Sequence, residues 1–386
     1  MLLCTEEAPR AVSTVRAHGT ALIAAWVLYI VAASGRTSAD DWPVFRGNIR
    51  QTGVATSTLG QRPRIVWKFN AQDAFEGSAV IVGGKVYVGN LDKNLYCLQL
   101  TTGGLVWKAT LGEGIKATPA VAQGRVYVGD GAGLFYCLDA GTGRTLWTFK
   151  TDSEIVAPAT PVGERVLLGS YDEHVYCLDG SSGQLLWKHK TRGPINGAPV
   201  VADGRVLVAG CDAQLHVLDL TSGRAVTAID LGAQAGATPA VVGPRAYVGN
   251  MDRQVLALDW HQGRVLWSFA DEPRAFPFYA SPAATQDRVI VASRGRWVYA
   301  LASASGKKIW ATRVGGRVDS SPVIAGDWVW FGCQDGHLYA LELATGTQKQ
   351  RFGLGAPISA SPAVAGGKLV IGTSDGVLYA LGEDPP

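Results

Sequence analysis

The 386-residue chain is poor in charge and in methionine. Asp, Glu, Lys and Arg together make up 17% of it, only two Met occur, and the formal net charge is +3. No run of Lys or Arg appears, so the electrostatic footprint of a nucleic-acid-binding protein is missing and no nucleic-acid partner is expected. The longest apolar run, Thr20–Ser34, has 15 residues, short of the roughly 20 that a membrane-spanning helix needs. There is no CxxC pair and no Cys/His cluster, which removes the usual zinc and haem signatures. G-x-S-x-G, H-E-x-x-H and phosphate-cradling loop patterns are also absent, and with them the common hydrolase, metallopeptidase and nucleotidase motifs. The six histidines do not fall at ligand spacing. Beyond the N-terminal segment no stretch has a helical period.

What the chain has is Gly, 48 of them, and 47% hydrophobic residues. That mixture suits many short buried strands joined by tight turns and argues against disorder. At the N-terminus, Arg10, Arg16 and His18 precede the apolar run, and Thr37-Ser38-Ala39 offers a small-residue cleavage site before Asp40. Residues 1–39 therefore read as a secretory signal peptide, with an uncleaved N-terminal anchor as the alternative. The expected location is periplasmic or cell-envelope associated, with membrane contact only through this segment if it stays. Six Cys in an exported chain could mean disulfides. However, Cys97, Cys137 and Cys177 hold the same place in three successive repeats. Equivalent points on neighbouring units stand on the order of 10 Å apart, beyond disulfide reach, so they are expected to be buried packing residues.

Repetition dominates the remainder. Tyr96-Cys97-Leu98 returns as Tyr136-Cys137-Leu138 and Tyr176-Cys177-Leu178. It continues through His216, Leu256, Tyr299 and Tyr339 to Tyr379-Ala380-Leu381, in steps of 40 residues with one of 43. Trp67, Trp107, Trp147, Trp187, Trp267 and Trp310 keep the same clock, with Thr227 and Gln350 in the two remaining slots, and a Pro series from Pro119 to Pro362 keeps it too. Each repeat holds four strand signals, separated by turns rich in Gly, Asp and Asn. Such a unit cannot bury both faces alone, and radial stacking does so. Arg64–Phe69 is a fourth strand with no first three before it, while the last repeat ends after its third. Pairing the two removes both open edges. The expected fold is all-β, an eight-bladed β-propeller of four-stranded antiparallel blades, closed by the N-terminal strand completing the last blade. Residues 40–62 form a leader or docking arm, residues 63–382 the propeller, and the propeller is expected to be monomeric.

The link between third and fourth strands, Cys137, Asp139, Thr142, Gly143, Trp147 and again Cys177, Asp179, Ser182, Gly183, Trp187, resembles the tryptophan-docking motif of quinoprotein-like propellers with PQQ-like repeats. The resemblance spans residues 64–381, and Asp41–Asn48 looks like the leader of exported members. It implies that the tryptophans are structural, each packing on the next blade, and that the seams at Thr227 and Gln350 are among the weakest. Two branches share the fold. Quinoprotein dehydrogenases hold pyrroloquinoline quinone and Ca²⁺ on the axis, whereas scaffolds of the BamB kind serve outer-membrane assembly without a cofactor. Fold alone does not choose between them.

Three residues before each Pro slot the repeats place Glu76, Lys116, Val156, Asn196, Gly236, Tyr279, Asp319 and Ser359. Glu76, Asn196 and Asp319 are oxygen donors of the kind Ca²⁺ uses, yet they fall on separated blades, and a hard cation wants about 6–8 oxygens. The chain also lacks the adjacent cysteine pair of the dehydrogenases. The expectation is no catalytic residue, no metal and no cofactor, with a quinoprotein dehydrogenase or its relict as the alternative. The recurrent Asp92, Asp172, Asp212, Asp252, Asp335 and Asp375 read as turn residues. A protein partner is expected at the one slip of the clock, residues 271–279. There Arg274, Phe276, Phe278 and Tyr279 are anchor types of protein interfaces, the alternative being a plug in the channel mouth. A second surface is the rim formed by Lys116, Glu154, Arg192 and Arg317.

Overall fold

A computed structural model of the chain describes residues 40–274 and 276–383. The proposed signal or anchor, 1–39, lies outside the described residues, as does Cys4. No helix among the described residues is long and apolar enough to cross a membrane, and the one helical turn among them is Glu272–Arg274.

The strands assemble into eight sheets. Blade 1 comprises Val80–Val82, Lys85–Gly89, Asn94–Gln99 and Leu105–Thr110, from the axis outward. Blades 2 to 7 repeat it along the chain. Blade 8 takes Ala363–Ala365, Lys368–Gly372 and Val377–Gly382 from the C-terminal end and its outer strand, Arg64–Asn70, from the N-terminal end. The closing pair is antiparallel, with Ile65 opposite Leu381 and Phe69 opposite Leu378. Eight blades and this closure are what the repeat arithmetic required.

The strand sequences explain their places. Second and third strands are near-continuous apolar runs, such as Leu134–Asp139, because both faces meet a neighbouring blade; Phe135, Cys137 and Leu138 are fully buried. Outer strands carry a β-bulge at the residue before the tryptophan slot. In blade 2, Thr145 pairs Leu138 and Trp147 pairs Cys137, leaving Leu146 unpaired. The extra residue turns outward and swings the indole inward. Trp147 then lies on Gly183 of blade 3, where an added Cβ would stand 2.5 Å from the ring. Its Nε1 donates to the Gly180 carbonyl at 3.3 Å. Trp67, Trp107, Trp187, Trp267 and Trp310 make the same bond to the next blade. The glycine carries φ near +74° and has no side chain to obstruct the ring.

A second contact binds blade to blade. Phe75, Ile115, Ile155, Ile195, Phe278 and Ile358, each from the link into an inner strand, press on the glycine that ends a second strand. All six are buried. At the seam of blades 4 and 5 the structure revises the expected weakness. Thr227 leaves the tryptophan slot empty, but Trp260, 2% exposed, sits in the apolar cluster between those blades and donates to the Gly243 carbonyl at 3.2 Å. Volume lost from one side of the seam returns from the other. At the other exception, Gln350 reaches the Gln61 carbonyl instead. Cys97, Cys137, Cys177, Cys211 and Cys333 are free. Burial pushes the Cys97 thiol up to about 11 and the Cys137, Cys177 and Cys333 thiols up to about 12, so they are inert packing groups.

Candidate functional site: the two ends of the axis

The links from each outer strand to the next inner strand surround a funnel of about 430 Å³. All eight residues placed by the repeat register, Glu76, Lys116, Val156, Asn196, Gly236, Tyr279, Asp319 and Ser359, line it. One register read from the sequence therefore becomes one ring in space.

Below the rim lies a second ring that the sequence reading missed. Ser78, Thr118, Thr238, Ser281, Ser321 and Ser361 each use a hydroxyl oxygen to accept the amide of the equivalent residue one blade earlier, at 2.8–2.9 Å. The ring is broken at blades 3 and 4, where Pro158 has neither hydroxyl nor N–H and Ala198 has no hydroxyl. The signal was available as the residue before each Pro slot, but only closure of the wheel shows that these residues face one another.

The other end of the axis is sealed by the leader. The carbonyls of Trp42, Pro43, Ile49, Arg50, Thr52 and Gly53 accept, in that order, the inner-strand amides of Ile81, Val121, Val201, Val241, Ala284 and Ile324, at 2.8–2.9 Å. Blade 3 is skipped because its equivalent residue is Pro161, which has no amide to give. At that gap the leader turns inward, and Phe45 reaches the funnel floor. Arg46, 1% exposed, donates to the carbonyls of Ser321 at 3.2 Å, Pro282 at 3.0 Å and Pro322 at 2.5 Å. Burial pushes this guanidinium down to about 9, so it remains a cation at neutral pH. Val54–Ala55 then pairs in parallel with the inner strand of blade 7. The docking arm inferred from the leader is thus a strap across the axis.

Two of the three candidate oxygen donors at the rim, Asp319 and Asn196, are already engaged. Asp319 lies between Arg294 Nε at 2.6 Å and Arg317 Nε at 3.0 Å. Asn196 accepts from the Tyr171 hydroxyl and donates to Cys211 Sγ at 3.2 Å. Lys116 pairs with Glu154 at 3.5 Å, and Glu76 is exposed. Among the described residues no group of three or more His, Cys, Asp or Glu is placed to hold a metal ion.

The irregular loop divides its residues between different surroundings. Phe278 is 3% exposed and fills the inter-blade slot against Gly249 and Tyr299, which removes it from the proposed partner contacts: it keeps the repeat's packing role after the insertion. Tyr279 lines the funnel mouth, with Arg294 stacked on it at 4.2 Å. Phe276 is 51% exposed. Arg274 is exposed and stacks on Trp297 at 4.1 Å.

One grouping escaped the linear spacing of the histidines. His189 of blade 3 and His216 of blade 4 meet edge to face, with ring centroids 5.7 Å apart. His216 Nε2 lies 2.7 Å from Asp212. Asp92, Asp172 and Asp335 accept from the hydroxyls of Tyr96, Tyr176 and Tyr339 and also hold amides of their own turns.

A family described as the β-propeller of beta-alanine-activating enzyme matches residues 121–384. The family of outer membrane protein assembly factor BamB matches residues 58–171. Among solved structures, BamB from Moraxella catarrhalis shares 21% identity at a TM-score of 0.73, covering 84% of this chain and 99% of that one. A quinohemoprotein alcohol dehydrogenase from Comamonas testosteroni shares 13% at 0.76, covering 92% and 82%. The computationally designed Ika8 protein shares 17% at 0.73, covering 81% and 96%. At such identities the likeness is one of fold. No curated protein matches the sequence.

Proposed function

We propose, from the premise that this chain belongs to the β-propeller family of beta-alanine-activating enzyme and has PQQ-like repeats, that it is an exported protein-binding scaffold of the cell envelope, acting as a monomeric propeller. The match to an outer-membrane assembly factor over residues 58–171 supports a role in membrane-protein assembly. The observation that carries the non-catalytic reading is the engagement of Asp319 by two guanidinium groups. With Asn196 also occupied, this donor set does not fit a Ca²⁺ ion, which needs several free oxygens at about 2.3–2.6 Å. Nor does Asp319 offer a free carboxylate as general base.

The partner surface of this reading is the funnel rim at the irregular loop. Phe276 and Tyr279 are its exposed aromatics, while Arg274 and Arg294 are held on aromatic faces. Such stacking fixes long side chains before an encounter and lowers the entropy lost on binding. The test is in-cell photo-crosslinking from position 276 in the full chain. An adduct with an outer-membrane assembly component is expected, reduced at least tenfold by Arg274→Ala with Tyr279→Ala. The competing reading, a dehydrogenase dependent on pyrroloquinoline quinone and Ca²⁺, predicts tight quinone binding by the purified chain and dye-linked alcohol oxidation. That result would overturn the scaffold.

A further inference from the structure

The bulge beside each tryptophan slot leaves its unpaired residue facing out at the same strand position on blades 1 to 7, while Val66 of blade 8 is half-buried against the neighbouring cluster. These residues are Val106, Leu146, Leu186, Val226, Leu266 and Ile309 on blades 1 to 6. They are 37–54% exposed, and three neighbours, Leu105, Leu185 and Val265, are 45–52% exposed. A solvated bulge has no need of an aliphatic side chain, and Lys349 holds the place on blade 7. The described large apolar side chains that reach solvent thus form one arc, apart from Phe276 and Tyr279 at the funnel.

Charge accompanies the arc. Arg144, Arg224, Arg264, Lys307 and Lys308 are exposed beside it. The outer strands contain a single acid, Asp230. The second strands open with Lys or Arg in every blade but the seventh. Of the acids at this end, Asp139, Asp179 and Asp219 each accept from two turn amides and a hydroxyl, while Glu164, Asp203, Asp287 and Asp327 are exposed in the inner-strand turns, with Asp203 paired to Arg50 and Asp287 to Arg288. The arc also lies at the leader end, since each third-strand turn bonds back to the inner-strand turn, as Ala140 N does to Gly124 O. Asp40 and Asp41, where the described chain begins, bind those inner-strand turns at Gly366 and Gly83.

We propose that the leader end of the propeller docks on an anionic lipid surface, its bulge aliphatics entering the interfacial layer and its basic residues meeting the headgroups. A planar partner suits an arc that spans six blades at one height. Apolar groups flanked by Lys and Arg are the composition that binds such interfaces. This inference goes beyond the scaffold reading and does not depend on it.

The test is amide hydrogen exchange of the full chain with vesicles containing phosphatidylglycerol and with vesicles of pure phosphatidylcholine. Outer-strand amides of blades 1 to 6 are expected to slow on the order of tenfold on the anionic vesicles alone, with the funnel links unchanged. Arg144→Glu, Arg224→Glu and Arg264→Glu together should abolish the slowing, as should Leu146→Glu, Leu186→Glu and Val226→Glu, with Tm unchanged in both. Equal slowing on neutral vesicles, slowing that survives either triple variant, or slowing without vesicles as protein concentration rises would each overturn the proposal. The last outcome would identify a second copy as the occupant.

Discussion

At the leader end of the axis the ring is tied by main chain: six leader carbonyls receive six inner-strand amides, and one buried arginine satisfies three more carbonyls. At the funnel end it is tied by side chains: six hydroxyls receive six amides of neighbouring blades. The main-chain tie tolerates many side chains and is missing at two blades, at Pro161, which has no amide to give, and at blade 8, whose inner strand Ala363–Ala365 receives no leader carbonyl among the described residues. The side-chain tie depends on residue type and fails at both Pro158 and Ala198. The first end is therefore suited to closure, and the second can vary its rim blade by blade.

The largest effect expected from this contrast is on removal of the strap. A chain lacking residues 40–53 should lose about 5 kcal/mol or more and at least about 10 °C in Tm. A fall under about 2 °C would mean that the leader is only draped on the wheel. Arg46→Met bares the carbonyls of Pro282, Ser321 and Pro322 and should cost about 3–5 kcal/mol in denaturant unfolding. Arg46→Lys should recover little, because one ammonium cannot reach all three, and a neutral Arg46→Met would sink the structural role of this cation. Trp260→Ala should cost about 3–4 kcal/mol, more than Trp147→Ala, whose ring is less buried. Hydrogen exchange then becomes fast at the seam of blades 4 and 5 only in the variant.

At the funnel end the steps are smaller. Ser321→Ala leaves the Ser281 amide without its acceptor and should cost about 1–3 kcal/mol. Ala198→Ser should change nothing, since Pro158 has no N–H to donate to it, and Pro158→Ser alone should gain nothing, since its new N–H would face Ala198; the two together should gain up to about 1 kcal/mol by closing the ring. The smallest effect is that of pH. Burial and the neighbouring His216 hold His189 below its ordinary value of 6.5, with His174 and Asp212 also facing it. The folded state then binds fewer protons than the unfolded one as pH falls through 6.5, so stability should decrease on that side. Thermal unfolding between pH 7.5 and pH 5.5, ~1 kcal/mol or less in magnitude, should show a slope that His189→Asn flattens.

The legibility of the two ends differed for a physical reason. The funnel ring from Glu76 to Ser359 could be read off the sequence because radial symmetry converts equal spacing along the chain into equal height on the axis. Phe278 was misjudged because the three-residue insertion hides which aromatic keeps the packing slot. Trp260 and the His189–His216 pair were invisible because each depends on which side chains of neighbouring blades meet.

Period, blade number, closure by Arg64–Asn70 and the tryptophan slots were determined by sequence alone, since each follows from local strand chemistry repeated at a constant interval. The strap, the hydroxyl ring, the engagement of Asp319 and the outward arc of bulge residues were decided only in the tertiary structure. Each brings together groups far apart in the chain, Arg46 with Pro322 and Ser361 with Ser78. The pairing energies responsible exist only after the wheel has closed and excluded water from its axis.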